Sequence, residues 1–569
     1  MEYKKLAEFY EEVSGTTKRL EKIEILSKFL KNINESDKDI LYLLLGDIYP
    51  EYDERRIGIS NQLAIKAISK STGTEEKQVV IKWKSIGDLG KVAEKLKKQK
   101  RQSTLHSQIL TTEKVLTNLR KLPELVGKGT VSKKLALITE LLTSASPLES
   151  LYLIRTLIGD LRIGVKESTI KGAMVSAFFP EKEKKEVSKK IQDAIDKSND
   201  IALVFEIAKK GKLKNLEKVL LEVGKPIKAM LAQKAKTIAD GFKALGKPCV
   251  IEYKYDGFRL IIHKKDDKII LFTRSLENVT KQFPEVVDYI KKHVKGKSFI
   301  LDSEAVGYDK KTKEYKPFQD ISQRIRRKYD IEKLQNELPI EINVFDIIYY
   351  NGKSLLHESF EKRTALIRKI LRNQKYKIIH AKQIITGSEK KAEKFYKNAL
   401  KDNQEGIMMK NLKATYNPGS RVGHMLKVKP EERDLDLVIV GAEYGTGKRS
   451  GWMSSFILAC KDGKEFLEIG KMGTGIKEKQ EQGTTFEELT KKLTPLIIKE
   501  KGKTVQVKPK IIVSITYQEI QKSPNYNSGF ALRFPRFTAL RPDKPLSEIT
   551  SLEEIKKDFE KQKRNYRFG

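Results

Sequence analysis

The first third of the chain carries its apolar residues at the spacing of amphipathic helices. In one stretch Leu135, Leu137 and Ile138 are followed by Leu141 and Leu142, so an apolar side chain returns to one face every three or four positions. Alternation with a period of two is rare up to about residue 221. The pattern predicts an all-helical region.

The pattern changes after Gly224 and Pro226, which interrupt the helical spacing. Short runs typical of β-strands follow, at residues 249–253, 258–263 and 268–273. The last two runs flank a polar segment, residues 264–267, so we predict that they form a hairpin. Because helical patterns continue between such runs, this region is expected to be α+β.

A second change comes at residues 429–434, after which short strand-like runs predict a small β-barrel. These runs are residues 435–440, 455–460, 466–469 and 511–517. A chain of 569 residues is too long for one core. We predict an all-α domain at residues 1–224, an α+β domain at 225–430 and an all-β domain at 431–569.

Composition then narrows the class of protein. The formal net charge is +37 and the isoelectric point is near 9.6. An excess this large attracts polyanions and favours nucleic acid as the partner. A lysine-rich proteome would produce the same excess, and runs such as residues 95–101 and 181–190 also fit solvated helix faces.

The chain has no features of a membrane or secreted protein. No run of 18 apolar residues occurs and residues 1–12 are charged throughout, so we expect neither a transmembrane helix nor a signal peptide. Cys249 and Cys460 are the only cysteines, too few for a disulfide framework or a Cys-rich zinc site. A cytoplasmic location is expected.

The most informative string is Glu252-Tyr-Lys254-Tyr-Asp256-Gly257-Phe-Arg259, at the end of a predicted strand. On an extended backbone Glu252, Lys254 and Asp256 share one face, and Gly257 permits a tight turn. Lys254 is either a structural ion-pair member, a common explanation for so short a motif, or a nucleophile.

A nucleophilic lysine must be neutral, whereas a free lysine side chain, with a pKa of about 10.4, is ammonium at pH 7. The neighbouring carboxylates would stabilise the ammonium form further. The nucleophile hypothesis therefore requires cations close to Lys254, supplied by later lysines, by a divalent metal ion, or by both.

The string resembles motif I of the covalent nucleotidyltransferases, the family of DNA ligases, RNA ligases and mRNA capping enzymes. Later strings resemble the other motifs of the family in order: Phe272-Thr-Arg274, Asp302-Ser-Glu304, Val344-Phe345-Asp346, Glu405-Gly406-Ile-Met-Met-Lys410, Arg421 with Lys427-Val-Lys429, Arg533-Phe-Pro-Arg536 and Arg541-Pro-Asp543-Lys544. One departure is Met425, where the family often has tryptophan; we expect this to change packing only.

The resemblance implies a role for each residue. Lys254 would carry AMP, and Glu304 and Glu405 would place Mg²⁺, or Mn²⁺ in its stead. Phe345 would stack on the base. The implied nucleotide-binding set is Glu252, Lys254, Arg259, Arg274, Glu304, Phe345, Arg421, Lys427 and Lys429. Arg536, Asp543 and Lys544 would approach the leaving pyrophosphate after a hinge at residues 430–434 moves.

Over nearly the whole chain the resemblance is to ATP-dependent DNA ligases of the archaeal and eukaryotic type. It implies an all-α DNA-binding domain, an α+β adenylation domain and an OB-fold domain that together encircle nicked duplex DNA. The implied activity is nick sealing with ATP in replication, repair and recombination, by a monomer. A sliding clamp is a further candidate partner.

Alternatives remain at this point. Phe345 also fits a core position, Lys427 and Lys429 fit a strand edge, and Arg162 between two glycines fits helix packing as well as phosphate binding. Residues 441–449 resemble a Walker A loop but have the wrong spacing, and we interpret them as a basic loop. For the whole protein the alternatives are an RNA ligase, a capping-type nucleotidyltransferase and a non-catalytic nucleic-acid-binding protein.

Overall fold

The computed structural model describes residues 1–99, 109–327, 329–430, 433–446, 449–478 and 483–568. The first region is helical, as predicted from its apolar spacing. Its helices are α1 (Tyr3–Ser14), α2 (Arg19–Asn32), α3 (Ile40–Leu45), α4 (Asn61–Thr72), α5 (Glu76–Ile86), α6 (Leu89–Gln99), α7 (Thr112–Lys121), α8 (Thr130–Ser144), α9 (Pro147–Leu157), α10 (Glu167–Phe178), α11 (Lys184–Ser198), α12 (Ile201–Lys209) and α13 (Leu213–Glu217).

One hydrophobic cluster, from Tyr3 to Val219, holds these helices together. Local sequence sets their ends: Ser146 and Glu149 form a capping box at the start of α9, which satisfies backbone N–H groups that no helical turn reaches. Arg162, for which two roles were open, lies 2.9 Å from the buried Asp88 carboxylate and 2.7 Å from that of Asp160. These ion pairs favour the packing role.

The central region mixes strands and helices. In chain order they are β1 (Leu231–Lys234), α14 (Ile238–Leu245), β2 (Cys249–Lys254), β3 (Phe258–Lys265), β4 (Lys268–Thr273), α15 (Pro284–His293), β5 (Ser298–Tyr308), β6 (Tyr315–Lys316), α16 (Phe318–Arg326), α17 (Ile331–Glu337), β7 (Ile340–Tyr350), β8 (Lys353–Ser354), α18 (Phe360–Ile370), β9 (Ile378–His380), β10 (Gln383–Thr386), α19 (Glu389–Lys401), β11 (Gly406–Lys410) and β12 (Arg421–Val428).

These strands form two sheets. One has the order β1-β12-β11-β2-β10, and the other contains β4-β3-β5-β7-β8, with β6 on β5 and β9 on β7. β3 and β4 pair antiparallel, which confirms the hairpin predicted at residues 258–273. Because β2 and β3 are consecutive but belong to different sheets, the segment between them lies where the two sheets meet.

The third region is a seven-stranded antiparallel sheet with a separate hairpin. The four runs predicted from the sequence lie in its strands, except that Ile511 precedes the strand that begins at Ile512. Two helices that the strand pattern did not indicate accompany it. The elements are β13 (Arg433–Tyr444), β14 (Met453–Asp462), β15 (Glu465–Met472), α20 (Phe486–Leu493), β16 (Ile497–Lys501), β17 (Thr504–Val507), β18 (Ile512–Tyr517), β19 (Glu519–Lys522), β20 (Phe530–Arg533), β21 (Arg536–Leu540) and α21 (Leu552–Phe568).

Two interpretations fall partly outside the described residues: the hinge includes 431 and 432, and the basic loop includes 447 and 448. The run at 95–101 likewise ends beyond them. The boundaries at 224 and 430 stay a proposal. Within the described chain, no helix is both long and apolar enough to cross a membrane.

The three regions contact one another. Lys228 bridges the first and central regions, with its ammonium 2.5 Å from Glu51 and 3.0 Å from Glu167. The third region contacts the first where the Lys503 ammonium lies 4.3 Å from the centre of the Trp83 ring. Together the three regions surround the large cavity of the candidate active site.

Candidate active site

Lys254 is the last residue of β2, in the interior of the five-stranded sheet. Its Nζ lies 2.7 Å from Glu405 Oε2, and the Glu405 backbone N donates to the Lys254 carbonyl at 2.9 Å. The Lys429 ammonium contacts the same Glu405 oxygen. One carboxylate therefore joins two lysines, which supplies the nearby cation that the nucleophile hypothesis requires.

Burial and mutual repulsion make these lysines unusual. Burial lowers the pKa of Lys429, and the charge of Lys254 lowers it further. Burial also lowers the pKa of Lys427, as do the charges of Lys429 and Lys254. Burial opposes ionisation of Glu405, but Lys254 and Lys429 outweigh it and hold its pKa below the ordinary value. The cluster favours loss of a proton from a lysine.

The sequence predicted that Asp256 shares one face of an extended strand with Lys254 and that Gly257 is needed for a tight turn. The structure differs at both residues. β2 stops at Lys254, so Asp256 lies beyond the strand, where its backbone N donates to Gln404 Oε1 at 3.0 Å. Gly257 is not in the left-handed region; a Cβ there would collide with the carbonyl oxygen of Ala305. Glycine is needed for close approach of β5.

One end of the cavity suits a base. Glu252 is buried, and its Oε2 lies 2.5 Å from the Lys410 ammonium. Its Oε1 is also buried and has no hydrogen-bond partner among the described residues. The Phe345 ring lies between two cations, 4.8 Å from Lys410 Nζ and 5.1 Å from the Arg259 guanidinium. The result is an aromatic surface beside a buried acceptor.

Arg259 has a different environment from the one implied for a phosphate ligand. Its guanidinium forms a two-point ion pair with the buried Asp302 and donates to the Met230 carbonyl at 3.0 Å. Tyr416 donates to the same Asp302 carboxylate at 2.6 Å. Because these contacts engage most of its donors, the structure favours Arg259 as an orienting group beside Phe345.

Two carboxylates are placed for a divalent ion. Glu304 lies opposite Arg259 in the β3–β5 pairing, and burial raises the pKa of its carboxyl to about 7. Glu405 also contributes to this upward shift. Among the described residues no group of three or more metal-ligating side chains occurs. Glu304 and Glu405 are oxygen donors of the kind that Mg²⁺ typically takes, one or two carboxylates together with substrate phosphates.

All these groups meet in or beside one cavity of about 1690 Å³. Arg274 and Arg421 lie exposed at its edge. Glu405 contacts Lys254, which lines the cavity, and Lys429 contacts Glu405. The predicted residues that line the cavity are Glu252, Lys254, Arg259, Arg274, Glu304, Phe345, Arg421 and Lys427.

Sequence reasoning missed several members of the site. Lys410, Asp302 and Arg533 were quoted only within motifs, and Tyr416 carried no signal at all. Arg533 lines the cavity from the third region and pairs with Glu519 at 3.1 Å. The first region contributes Arg56, which also lines the cavity. By contrast Arg541 and Lys544 pair with Asp436, within the third region itself.

A strand-end lysine joined to a carboxylate and a second lysine, beside an aromatic surface and under a separate β region, defines a nucleotidyltransferase. Three family models match the chain: ATP dependent DNA ligase domain at residues 229–429, DNA ligase N terminus at 2–174 and ATP dependent DNA ligase C terminal region at 449–544.

Relatives match over the full length. The DNA ligase of Nanoarchaeum equitans is 44% identical over 99% of both chains, and that of Thermococcus onnurineus is 39% identical over 99% of both. A solved structure titled Pmar-Lig_PreS3 covers 94% of this chain and 99% of its own, with a TM-score of 0.58 at 18% identity, which supports the fold alone. The chain belongs to the ATP-dependent DNA ligase family, and the three-part fold class is confirmed.

Proposed function

We propose that this DNA ligase seals nicks in duplex DNA with Lys254 as the nucleophile that carries AMP. The observation that carries the proposal is the Lys254–Glu405–Lys429 cluster beside the cavity. Lys429 shares the Glu405 carboxylate with Lys254 and so supplies the nearby cation that a nucleophilic lysine requires.

In the first step the neutral Lys254 amine attacks the α-phosphorus of ATP. A nitrogen–phosphorus bond forms, the bond to pyrophosphate breaks, and a lysyl-AMP phosphoramidate results. Lys427 and Lys429 stabilise the negative charge that develops on the phosphate oxygens. Glu304 and Glu405 would hold Mg²⁺ or Mn²⁺, which would polarise the phosphate.

Glu252 and Phe345 are proposed to select adenine. Glu252 Oε1 has no partner among the described residues and needs a hydrogen-bond donor. The 6-amino group of adenine is a donor, whereas guanine presents an acceptor at that position. Lys410 keeps Glu252 oriented, and the base would stack on Phe345. ATP is thereby preferred to GTP.

In the second step AMP passes from Lys254 to the 5′-phosphate of the nick, and in the third the 3′-hydroxyl displaces AMP. Arg274 and Arg421, exposed at the cavity edge, are proposed to contact nucleotide or nick phosphates. The protein is proposed to act as a monomer on cytoplasmic DNA in replication, repair and recombination. A sliding clamp remains a candidate partner.

Residues 430–434 are proposed to be the hinge that moves the third region between steps. Arg533 lines the cavity in the present arrangement, whereas Arg536, Arg541 and Lys544 are not among its lining residues. Cross-linking the third region shut, with Arg536, Asp543 and Lys544 at the cavity, should spare AMP attachment and stop sealing. Equal loss of both activities would contradict the hinge.

The decisive experiment is incubation with α-labelled ATP and Mg²⁺, followed by a chase with nicked DNA. Label should attach to the protein, move to the DNA and leave as AMP when the nick is sealed. Lys254→Ala should abolish attachment while DNA binding persists; label that still attaches to this variant would refute the assignment. Parallel arms with GTP and nicked RNA distinguish the capping and RNA-ligase alternatives.

A further inference from the structure

The central region contains a second cavity, of about 600 Å³, whose lining shares no residue with the active-site cavity. We name it the tyrosine cavity. It lies between the segment after β5, the segment between α18 and β9, and the end of α19. Its lining is Lys313, Glu314, Tyr315, Asn373, Lys375, Tyr376, Ile379, His380, Lys382, Asp402 and Asn403.

A buried carboxylate fixes both tyrosines of this cavity. Glu341, in β7, is fully buried; its Oε1 accepts from the Tyr315 hydroxyl at 2.6 Å, and its Oε2 accepts from the Tyr376 backbone N. Burying a carboxylate is unfavourable unless its oxygens are bonded. Both oxygens are used to hold ring-bearing residues of one cavity, so its walls are preorganised.

Tyr376 also has an unusual backbone. Its φ is +62°, in the left-handed region that bulky side chains rarely adopt. Such strain persists where the surrounding structure enforces it, and it is concentrated at functional sites. Here the Glu341 hydrogen bond to the Tyr376 backbone enforces it. The ring is consequently held in one place at the cavity wall.

Two ammonium groups converge on that ring. Lys313 Nζ lies 5.1 Å and Lys375 Nζ lies 4.9 Å from its centre. Neither lysine forms an ion pair with a carboxylate in the described part of the chain. Two positive charges beside one ring repel each other, and an anion bound between them would relieve that repulsion.

The cavity also contains an acceptor that needs a donor. Asn403 Oδ1 is buried and has no hydrogen-bond partner among the described residues. An unpaired buried acceptor is unfavourable, and a ligand amino group would satisfy it. The cavity therefore combines a surface for an aromatic ring, two cations for an anion and one acceptor for an amino group.

We propose that the tyrosine cavity binds a nucleoside phosphate, separately from the active site. The base stacks on Tyr376, its amino group donates to Asn403, and the phosphate lies between Lys313 and Lys375. Such a group comes either from a free nucleotide or from a nucleotide of a DNA strand. Asp402, which also lines the tyrosine cavity, accepts a hydrogen bond from the hydroxyl of Tyr253. Tyr253 precedes Lys254 in β2, so this hydrogen bond connects the wall of the tyrosine cavity with the strand that carries Lys254.

Photolabelling of the full chain with 8-azidoadenosine 5′-monophosphate, followed by peptide mapping, tests this proposal. Label should appear on the peptide that contains Tyr376, in addition to peptides of the active-site cavity. In Lys313→Glu/Lys375→Glu that label should fall by about tenfold or more, the effect of losing one charge-assisted hydrogen bond. The matched control is Lys310→Glu/Lys369→Glu, the same charge change at exposed lysines outside the cavity.

Competition identifies the source of the phosphate. Displacement of this label by unlabelled AMP indicates a free nucleotide, and displacement by a 5′-phosphorylated single-stranded oligonucleotide indicates a DNA strand. The proposal is overturned if the Tyr376 peptide is unlabelled, if both double variants lose label equally, or if neither competitor displaces it. Tyr376→Ala, checked for an unchanged melting temperature, gives a second variant that should lose the label.

Discussion

At the scale of single residues, the site depends on side chains whose surroundings differ from those of ordinary surface groups. Gly257 is the smallest example, because no other residue leaves room for the Ala305 carbonyl oxygen of β5. Glu252 is another, because Lys410 occupies one of its oxygens and leaves the other for a ligand.

Gly257→Ala should therefore impair the site. The added Cβ would meet backbone rather than a flexible side chain, so β5 or the segment after Lys254 must shift. A displacement of about 1 Å can reduce a rate by about 100-fold, and we expect a loss of this order in AMP attachment, measured with labelled ATP.

The matched control is Gly423→Ala in β12, where a Cβ would make only ordinary contacts with Gln233. It should attach AMP at the rate of the unchanged protein. Equal rates for both variants would mean that the approach of β5 does not position Lys254.

A residue away from the site should control how stability depends on pH. Burial raises the pKa of Asp196 to about 7. Because the unfolded carboxyl ionises near its ordinary value of 3.8, the folded state holds an extra proton between about pH 4 and 7, so stability falls as pH rises through this window.

Asp196→Asn should abolish that fall and keep the hydrogen bond from Gln192. The gain at pH 8 is at most about 4 kcal/mol, from a difference of about three pKa units. Urea unfolding at pH 5 and pH 8 measures it. The idea fails if the variant and the unchanged protein lose stability in parallel.

At the scale of elements, β2 carries Lys254, the proposed nucleophile, and the β19–β20 hairpin brings Arg533 from another region. Glu519 and Arg533 are directly opposite each other in this hairpin, and Arg533 Nη1 lies 3.1 Å from Glu519 Oε1. The Gln521 side chain donates to the same Glu519 oxygen at 2.6 Å. The hairpin thus holds the Arg533 guanidinium toward the cavity.

Glu519→Gln should release Arg533 and slow AMP attachment about tenfold, because a positioned cation in the cavity lining is lost. Sealing of a nick that already carries AMP should keep its rate, since the first step is bypassed. Measuring the two reactions separately distinguishes positioning from misfolding, which would slow both.

At the scale of the whole molecule, the first and third regions contact each other directly. The Lys503 ammonium lies against the Trp83 ring, and Ser450 packs so closely against Gly87 that a Cβ there would collide with it. These contacts join regions that are distant in sequence and close the arrangement around the cavity.

Lys503→Ala should open this arrangement. A cation–π contact contributes about 0.5 to 2 kcal/mol, so the closed population should fall by about two- to thirtyfold relative to the open one. Small-angle scattering without DNA should then give a larger radius of gyration. The control is Lys501→Ala. Lys501 is exposed and lies in the same β16–β17 hairpin as Lys503, and its substitution should leave the radius unchanged.

The sequence by itself determined the kinds of region and the identity of the chemical groups. Apolar spacing and turn residues are local signals, so the helices of the first region, the β3–β4 hairpin and four strands of the third region could be predicted directly. The order of the motifs indicated Lys254 and its class of reaction. The helix α20 and the hairpin β19–β20 were not predicted, because short elements carry weak periodicity. The longer α21 was not predicted either, because few of its residues are apolar.

Only the tertiary structure decided which groups meet. Three sets of contacts join residues far apart in sequence: Glu405 with Lys254 and Lys429, Asp302 with Arg259 and Tyr416, and Arg533 of the third region with the cavity. No local pattern encodes such contacts, because they depend on the order of strands in the sheets and on how separate regions pack. The same reason hid the tyrosine cavity, whose walls come from three separate segments.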